Sequence, residues 1–166
     1  MTADRPTRPS THRETRAYRG GLTSVGSYED LPEVAPATRR TMQANRGRDT
    51  GPEMALRSIL HARGLRFRVC EPLPFDRRRR ADVTFTRVGL YVFVDGCFWH
   101  GCSAHFVVPK TRTAFWLAKV QGNQARDADS RARLEALGGT VLRFWEHESP
   151  AEVADVIEQT YLHLKV

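Results

Sequence analysis

Hydrophobic and polar positions change rhythm several times along this chain. Leu56, Ile59 and Leu60 recur at helical spacing just after Thr50-Gly51-Pro52-Glu53. That tetrapeptide is a helix start, with Thr as N-cap, Pro in the first turn and Glu placed to close a capping box. Gly64 ends the helix. Leu65, Phe67 and Val69 then alternate with Arg66 and Arg68, the pattern of a strand with one wet face. The runs 82–85 and 90–95 are rich in β-branched and aromatic residues and predict a hairpin, with Val88-Gly89 as a two-residue turn. The second run is apolar on both faces, which places it inside the sheet.

Residues 113–137 read as a helix, with a break expected at Gly122 and a stop at Gly138-Gly139. Thr140 to Trp145 is another strand. Ser149-Pro150-Ala151-Glu152 is a second capping box, opening a helix with Val153, Val156, Ile157, Tyr161 and Leu164 on one face. Helix, strands, helix, strand and helix in that order predict an α/β layer fold, a mixed central sheet flanked by helices. Residues 1–36 carry Arg, Thr, Pro and Gly without a hydrophobic period and read as a flexible basic arm. The folded domain is expected over 37–166.

Charge narrows the partners. The formal net charge is +7, and Arg supplies 23 of the 26 basic residues. They cluster at 5–19, 39–48 and 77–80, which favours a nucleic acid over a purely compositional origin. No apolar run approaches membrane-spanning length, and the basic N-terminus lacks the apolar core of a signal peptide. A cytoplasmic protein is expected. Its three cysteines then read as metal ligands rather than disulfides.

Three groups of residues carry candidate chemistry. With a two-residue turn, Asp82 lies directly opposite Asp95, their Cβ atoms roughly 4.5–5.5 Å apart. Facing carboxylates in an apolar sheet call for a proton or a cation between them, and Mg²⁺ suits such a pair. Glu53 adds a water-mediated contact in this reading, although capping its own helix is its simpler role. Asp95 also fits a turn position before Gly96, and Asp82 an ion pair with the Arg run. The second group is Cys97, Cys102 and His105, spaced C-x4-C-x2-H, three of the four ligands of a tetrahedral Zn²⁺ site. His147, just past the strand at Trp145, is the expected fourth, with Cys70 as its rival. The third group lies between those ligands. Phe98 and Trp99 suit either an apolar wedge that unstacks a duplex step or packing against the zinc loop. His100 suits a general base, a zinc ligand or neither role, and spacing does not choose. Lys119, Asn123 and Asp127 recur every fourth residue beside Arg126 and read as a solvated helix face.

The run Gly96-Cys97-Phe98-Trp99-His100 closely resembles the signature of very short patch repair (Vsr) mismatch endonucleases. Thr38-Arg39-Arg40-Thr41-Met42, Arg48-Asp49-Thr50-Gly51-Pro52-Glu53, Pro109 to Trp116, Lys119, Asn123, Arg126-Asp127 and Val141 to Glu146 follow the same pattern. The resemblance covers about Ala37 to Glu148. It implies a restriction-endonuclease-like core and Mg²⁺-dependent nicking of duplex DNA on the 5′ side of the T in a T:G mismatch. Such mismatches arise when 5-methylcytosine deaminates, which implies functional links to a cytosine-5 DNA methyltransferase and to mismatch-repair proteins. Position by position, it implies Asp82 as principal metal carboxylate, Glu53 as outer-sphere acid and His100 as base. It implies Phe98, Trp99 and Met42 as the wedge and Cys97 with its companions as structural zinc ligands. A monomer associated with the nucleoid is the matching expectation. This chain departs from the best-known pattern where Asp95 stands in place of His, Ala81 in place of Pro and His147 in place of Cys. An acid at position 95 implies direct metal binding by Asp95. The competing readings are a restriction-like or general mismatch nuclease, and a zinc-stabilised DNA-binding module without catalysis.

Overall fold

The structure is a computed structural model that describes residues 48–166. The expected basic arm at 1–36, the start of the domain at 37 and Met42 lie outside the described residues. Helix α1 spans Gly51–Ala62 and buries Leu56 and Leu60. Gly64, at φ 76°, turns the chain so that Leu65 drops into the core beneath the helix. Strands β1 (Arg68–Leu73), β2 (Asp76–Phe85) and β3 (Leu90–Asp95) follow as an antiparallel meander. A one-turn helix α2 (Cys97–His100) and the long α3 (Thr113–Ala136) return the chain to β4 (Thr140–Trp145), parallel to β3. Helix α4 (Pro150–Lys165) completes the order. The sheet order β1-β2-β3-β4 puts β3 in the interior, as its two apolar faces require.

The sheet has a core on each face. Val83, Phe85, Leu90 and Val92 meet α1 and α4 through Leu56, Leu60, Val153, Ala154 and Ile157. Ala81, Phe93 and Val141 meet α3 through Leu134. This is the α/β arrangement expected, a mixed sheet with flanking helices. No helix among the described residues is long and apolar enough to cross a membrane.

Several local expectations change. Only the end of the alternation at 65–69 is strand: β1 begins at Arg68, and Leu65 and Phe67 fill the core ahead of it. β2 begins at Asp76, so the whole Arg77–Arg80 run lies in a strand. Arg79 bonds Asp129 and Ser130 of α3, and its guanidinium and that of Arg133 lie over the Phe75 ring. Long Arg stems cover apolar surface while keeping their charges wet. Gly122 does not break α3. It faces open space, so its cost is only the weak helix propensity of glycine, about 1 kcal/mol. Neither Thr50 nor Ser149 makes a side-chain cap bond. Glu53 instead accepts from the Asp49 N–H (3.0 Å), the Thr50 hydroxyl (3.0 Å) and Arg57 (2.7 Å).

Candidate active site

The hairpin joins through four turn residues, 86–89, not two. Val83 pairs with Val92, Thr84 with Tyr91 and Phe85 with Leu90. Continued, that register brings Asp82 level with Phe93, so the direct Asp82–Asp95 opposition expected from a two-residue turn does not form. The longer loop shifts the pairing by two residues. Beyond Val83 the strands part, and Asp82 sits in the fork. Its Oδ2 accepts the Val94 N–H at 2.8 Å, where a ladder carbonyl would otherwise serve. Burial raises the Asp82 pKa to about 6, against the pull of that N–H, and the Glu53 and Asp95 carboxylates push it the same way. Asp49, Glu53 and Asp82 gather here around the buried guanidinium of Arg57, which bonds the first two, while the exposed Arg48 reaches only Asp49. Such a set is short of positive charge, and its hard oxygen donors fit a divalent cation such as Mg²⁺.

Asp95 has different company. The parallel register aligns Phe93 with Arg143 and Asp95 with Trp145, so Asp95 and Arg143 share a sheet face as diagonal neighbours. Arg143 donates to both oxygens of Asp95, Nε to Oδ2 at 2.7 Å and Nη2 to Oδ1 at 2.5 Å. Nη2 also reaches Asp127 of α3 at 3.1 Å, and the guanidinium lies 4.8 Å over the Phe93 ring. The other oxygen of Asp127 is 2.5 Å from His100 Nδ1. Burial alone would lower the His100 pKa, but the bond to Asp127 and the charges of Asp95 and Asp127 raise it overall. Asp127 goes the opposite way, its burial outweighed by His100 and Arg143, so it stays ionised. Asp95, His100, Asp127 and Arg143 line an open cavity of about 300 Å³. With Nδ1 engaged, Nε2 is the nitrogen left to take a proton.

The turn carrying His100 is held by three hydrogen bonds, one with Glu146 beyond β4 and two with α3. Glu146 accepts the Cys97 N–H at 2.6 Å. Asn123, buried on α3, donates to the Trp99 carbonyl at 2.7 Å, and Gln124 donates to the His100 carbonyl at 3.0 Å. Gly101, at φ 68°, lets the chain press on α3: a Cβ there would lie 2.6 Å from Val120 Cγ1. On the face of α3 read from sequence as solvated, Lys119 and Arg126 are exposed as expected, but Asn123 turns inward and helps clamp this turn. That Asn123 is buried and Asp127, one turn on, half-buried could not be inferred from their polarity.

Cys97, Cys102, His105 and His147 converge, with one ligand atom from each lying within 4.8 Å of all the others. Cys97 Sγ is 3.0 Å from His147 Nδ1 and 3.7 Å from His105 Nδ1. Cys102 Sγ stands 3.7 Å from His105 and 3.9 Å from His147. A tetrahedral Zn²⁺ with bonds of about 2.3 Å to sulfur and about 2.05 Å to nitrogen sets S···N at roughly 3.5 Å. These residues fit zinc, with no fourth ligand needed from Cys70, which lies instead 4.0 Å from Arg57. Burial pushes the Cys97 thiol up to about 11, a cost that a cation among the ligands would remove.

Phe98 and Trp99 are half-buried. Their rings lean on Trp116 at centroid distances of 5.2 and 6.0 Å, with Phe106 and Phe115 alongside. The cluster is thus supported from beneath by one buried indole.

A family profile described as DNA mismatch endonuclease Vsr matches residues 33–106. The chain is 39% identical over 152 residues to the Type II nicking enzyme V.NaeI of Lentzea aerocolonigenes, covering 90% of each. It is 39% identical to the Type II nicking enzyme V.XorIIP of Xanthomonas oryzae pv. oryzae, over 69% of this chain and 84% of that one. To the DNA mismatch endonuclease Vsr of Escherichia coli it is 42% identical, over 66% of this chain and 70% of that one.

Proposed function

The chain belongs to the Vsr family of DNA mismatch endonucleases and is itself an endonuclease, and from that premise we propose that it nicks duplex DNA 5′ of the T at T:G mismatches in a Mg²⁺-dependent reaction. The observation that carries this reading is the pairing of an anchored imidazole with a buried, cation-poor carboxylate at one end of the sheet. His100 takes the proton of the attacking water at Nε2, while Asp127 on Nδ1 fixes the tautomer and the ring direction. Asp82, backed by Glu53, is the carboxylate that holds Mg²⁺, within the restriction-endonuclease-like core that the resemblance implies. Bound Mg²⁺ supplies the positive charge that offsets the negative charge building on the phosphate. Val94 keeps Asp82 pointed into the fork.

Recognition is assigned to the aromatic cluster. Phe98 and Trp99, with Met42 from the preceding segment, enter the stack beside the mismatch, where a mispaired step costs less to open. Trp116 keeps the two rings from collapsing inward. Zn²⁺ on Cys97, Cys102, His105 and His147 makes the loop rigid enough to act as a wedge. A T:G product of 5-methylcytosine deamination links this activity functionally to a cytosine-5 methyltransferase. The test is a panel of labelled duplexes, matched and carrying T:G, G:G or T:T, incubated with and without Mg²⁺. Wild type should nick T:G alone and only with Mg²⁺, and Asp82→Asn should bind without nicking. Equal binding with no nicking by either protein would sink the catalytic reading, and nicking of the other duplexes would sink the T:G assignment.

A further inference from the structure

We propose that the ribbon formed by β1 and the first part of β2 is a second DNA-contacting element, which grips the phosphate backbone through Arg77, Arg78 and Arg80 without reading base identity. The proposal rests on the duplex-DNA reading above and adds to it a surface that binds matched and mismatched duplexes alike.

The ribbon stands clear of the sheet. β2 pairs with β3 only at Val83, Thr84 and Phe85, whereas its pairing with β1 runs from Thr84 back to Asp76. Residues 76–82 therefore pair with a strand on one side alone. Leu73 and Ala81 pack with Leu134 of α3, and Arg79 fixes the ribbon there by bonding Asp129 and Ser130. The same guanidinium lies 3.4 Å from the Arg126 carbonyl, one residue from Asp127. At the other end of the run, Arg80 precedes Asp82 by two residues, about 6.7 Å along the strand. The ribbon thus adjoins both the acid fork and the helix that orients His100. Exposed Arg126 extends its basic surface onto α3.

Charge on the ribbon is left unmatched. Between Arg66 and Arg80 six arginines meet only two acids, Glu71 and Asp76. Those acids pair with Arg68 and Arg79. On the helices, by contrast, Arg63 is met by Asp155 and Glu158, Arg131 by Glu135 and Arg133 by Asp129. Arg77, Arg78 and Arg80 are exposed and have no carboxylate partner among the described residues. Like charges crowded on one strand repel, and a polyanion laid across them removes that cost. Duplex DNA carries one negative charge per about 1.7 Å of axis, and each phosphate neutralised by an arginine releases condensed counterions. The flat guanidinium fork matches two phosphate oxygens at once.

The test is the salt dependence of duplex binding by the full, zinc-loaded chain. Fluorescence anisotropy in Mg²⁺-free KCl buffers would follow a matched duplex and one carrying T:G. The double variant Arg77→Gln, Arg78→Gln should make the slope of log affinity against log salt shallower by about 1.8, since each phosphate contact contributes about 0.9. At 0.1 M salt that is a loss of roughly 60-fold on both duplexes, with the preference for T:G unchanged. Lysine at both positions should restore the slope. Arg66, just ahead of the Arg68–Thr84 pair, and Arg87, in the turn at 86–89, are exposed at the opposite end of the sheet. The control Arg66→Gln, Arg87→Gln removes the same charge and should keep the wild-type slope. An unchanged slope in the ribbon variant, an equal loss in the control, a loss confined to the T:G duplex, or a loss seen on duplex RNA but not on DNA would each overturn the proposal. Should the double variant fail to fold, the single variants decide, each expected to take half of the change. A chain that shows the ribbon's slope change yet nicks no T:G duplex refutes only the functional reading.

Discussion

Removing the charge of Asp82 should make the Mg²⁺-free enzyme more stable while ending its activity. Asp82→Asn keeps an oxygen for the Val94 N–H and deletes an anion that burial, Glu53 and Asp95 all disfavour. The pKa rise from 3.8 to about 6 sets the size. At about 1.36 kcal/mol per unit, an ionised Asp82 costs the fold about 3 kcal/mol at neutral pH. The sign follows from proton counts. Between the two pKa values the folded chain holds a proton that the unfolded chain has released, so this group destabilises the fold as pH rises. The loss is complete above about 6 and absent well below 3.8. In a chain of this size about 3 kcal/mol corresponds to a melting shift of roughly 6–12 °C. Differential scanning calorimetry in zinc-replete buffer free of Mg²⁺ would measure it, without chelators that strip the Cys/His site. At pH 7.5 the variant should melt higher, and the gap should close as pH falls through 6. Added Mg²⁺ should raise wild type alone, by ligand linkage. A variant that melts no higher than wild type at pH 7.5, or that gains equally from Mg²⁺, would refute the reasoning.

Asp127→Asn should slow nicking about 10²–10⁴-fold with duplex binding retained in a gel-shift assay, because His100 loses the partner that fixes its tautomer. Cys102→Ser should abolish bound zinc, read by elemental analysis as one Zn²⁺ per chain in wild type and none in the variant, and amide exchange should show the 97–106 loop unprotected. Gly101→Ala puts a Cβ 2.6 Å from Val120 at φ 68°, which should lower stability by about 1–3 kcal/mol in urea melts, while Gly122→Ala, in open space, should raise it slightly.

The convergence of Cys97, Cys102, His105 and His147 was legible because each sits in a short spacing or just past a well-marked strand, and side-chain chemistry limits what two thiols and two imidazoles can do together. The same holds for β3 and β4, whose composition permits little else. The pairing of Asp82 with Asp95 was misjudged for a local reason. Val88-Gly89 resembles a tight turn, but the chain uses four residues, and register depends on loop length rather than on strand composition. The Arg143 clamp and the α3 face were missed for a different reason. Asn123, Asp127 and Arg143 are polar on elements whose solvent sides are also polar, and only the packing of α3 against the sheet turns them inward.

Composition and spacing determined the layer class and picked out Cys97, Cys102 and His105 as a group, with His147 as the expected fourth member, since these depend on covalent identity and on contacts a few residues apart. Which carboxylate is left short of positive charge, and which is matched by a guanidinium, was decided by the tertiary structure. That balance is a sum of charges brought together from α1, β3, α3 and β4, and only the folded chain makes them neighbours.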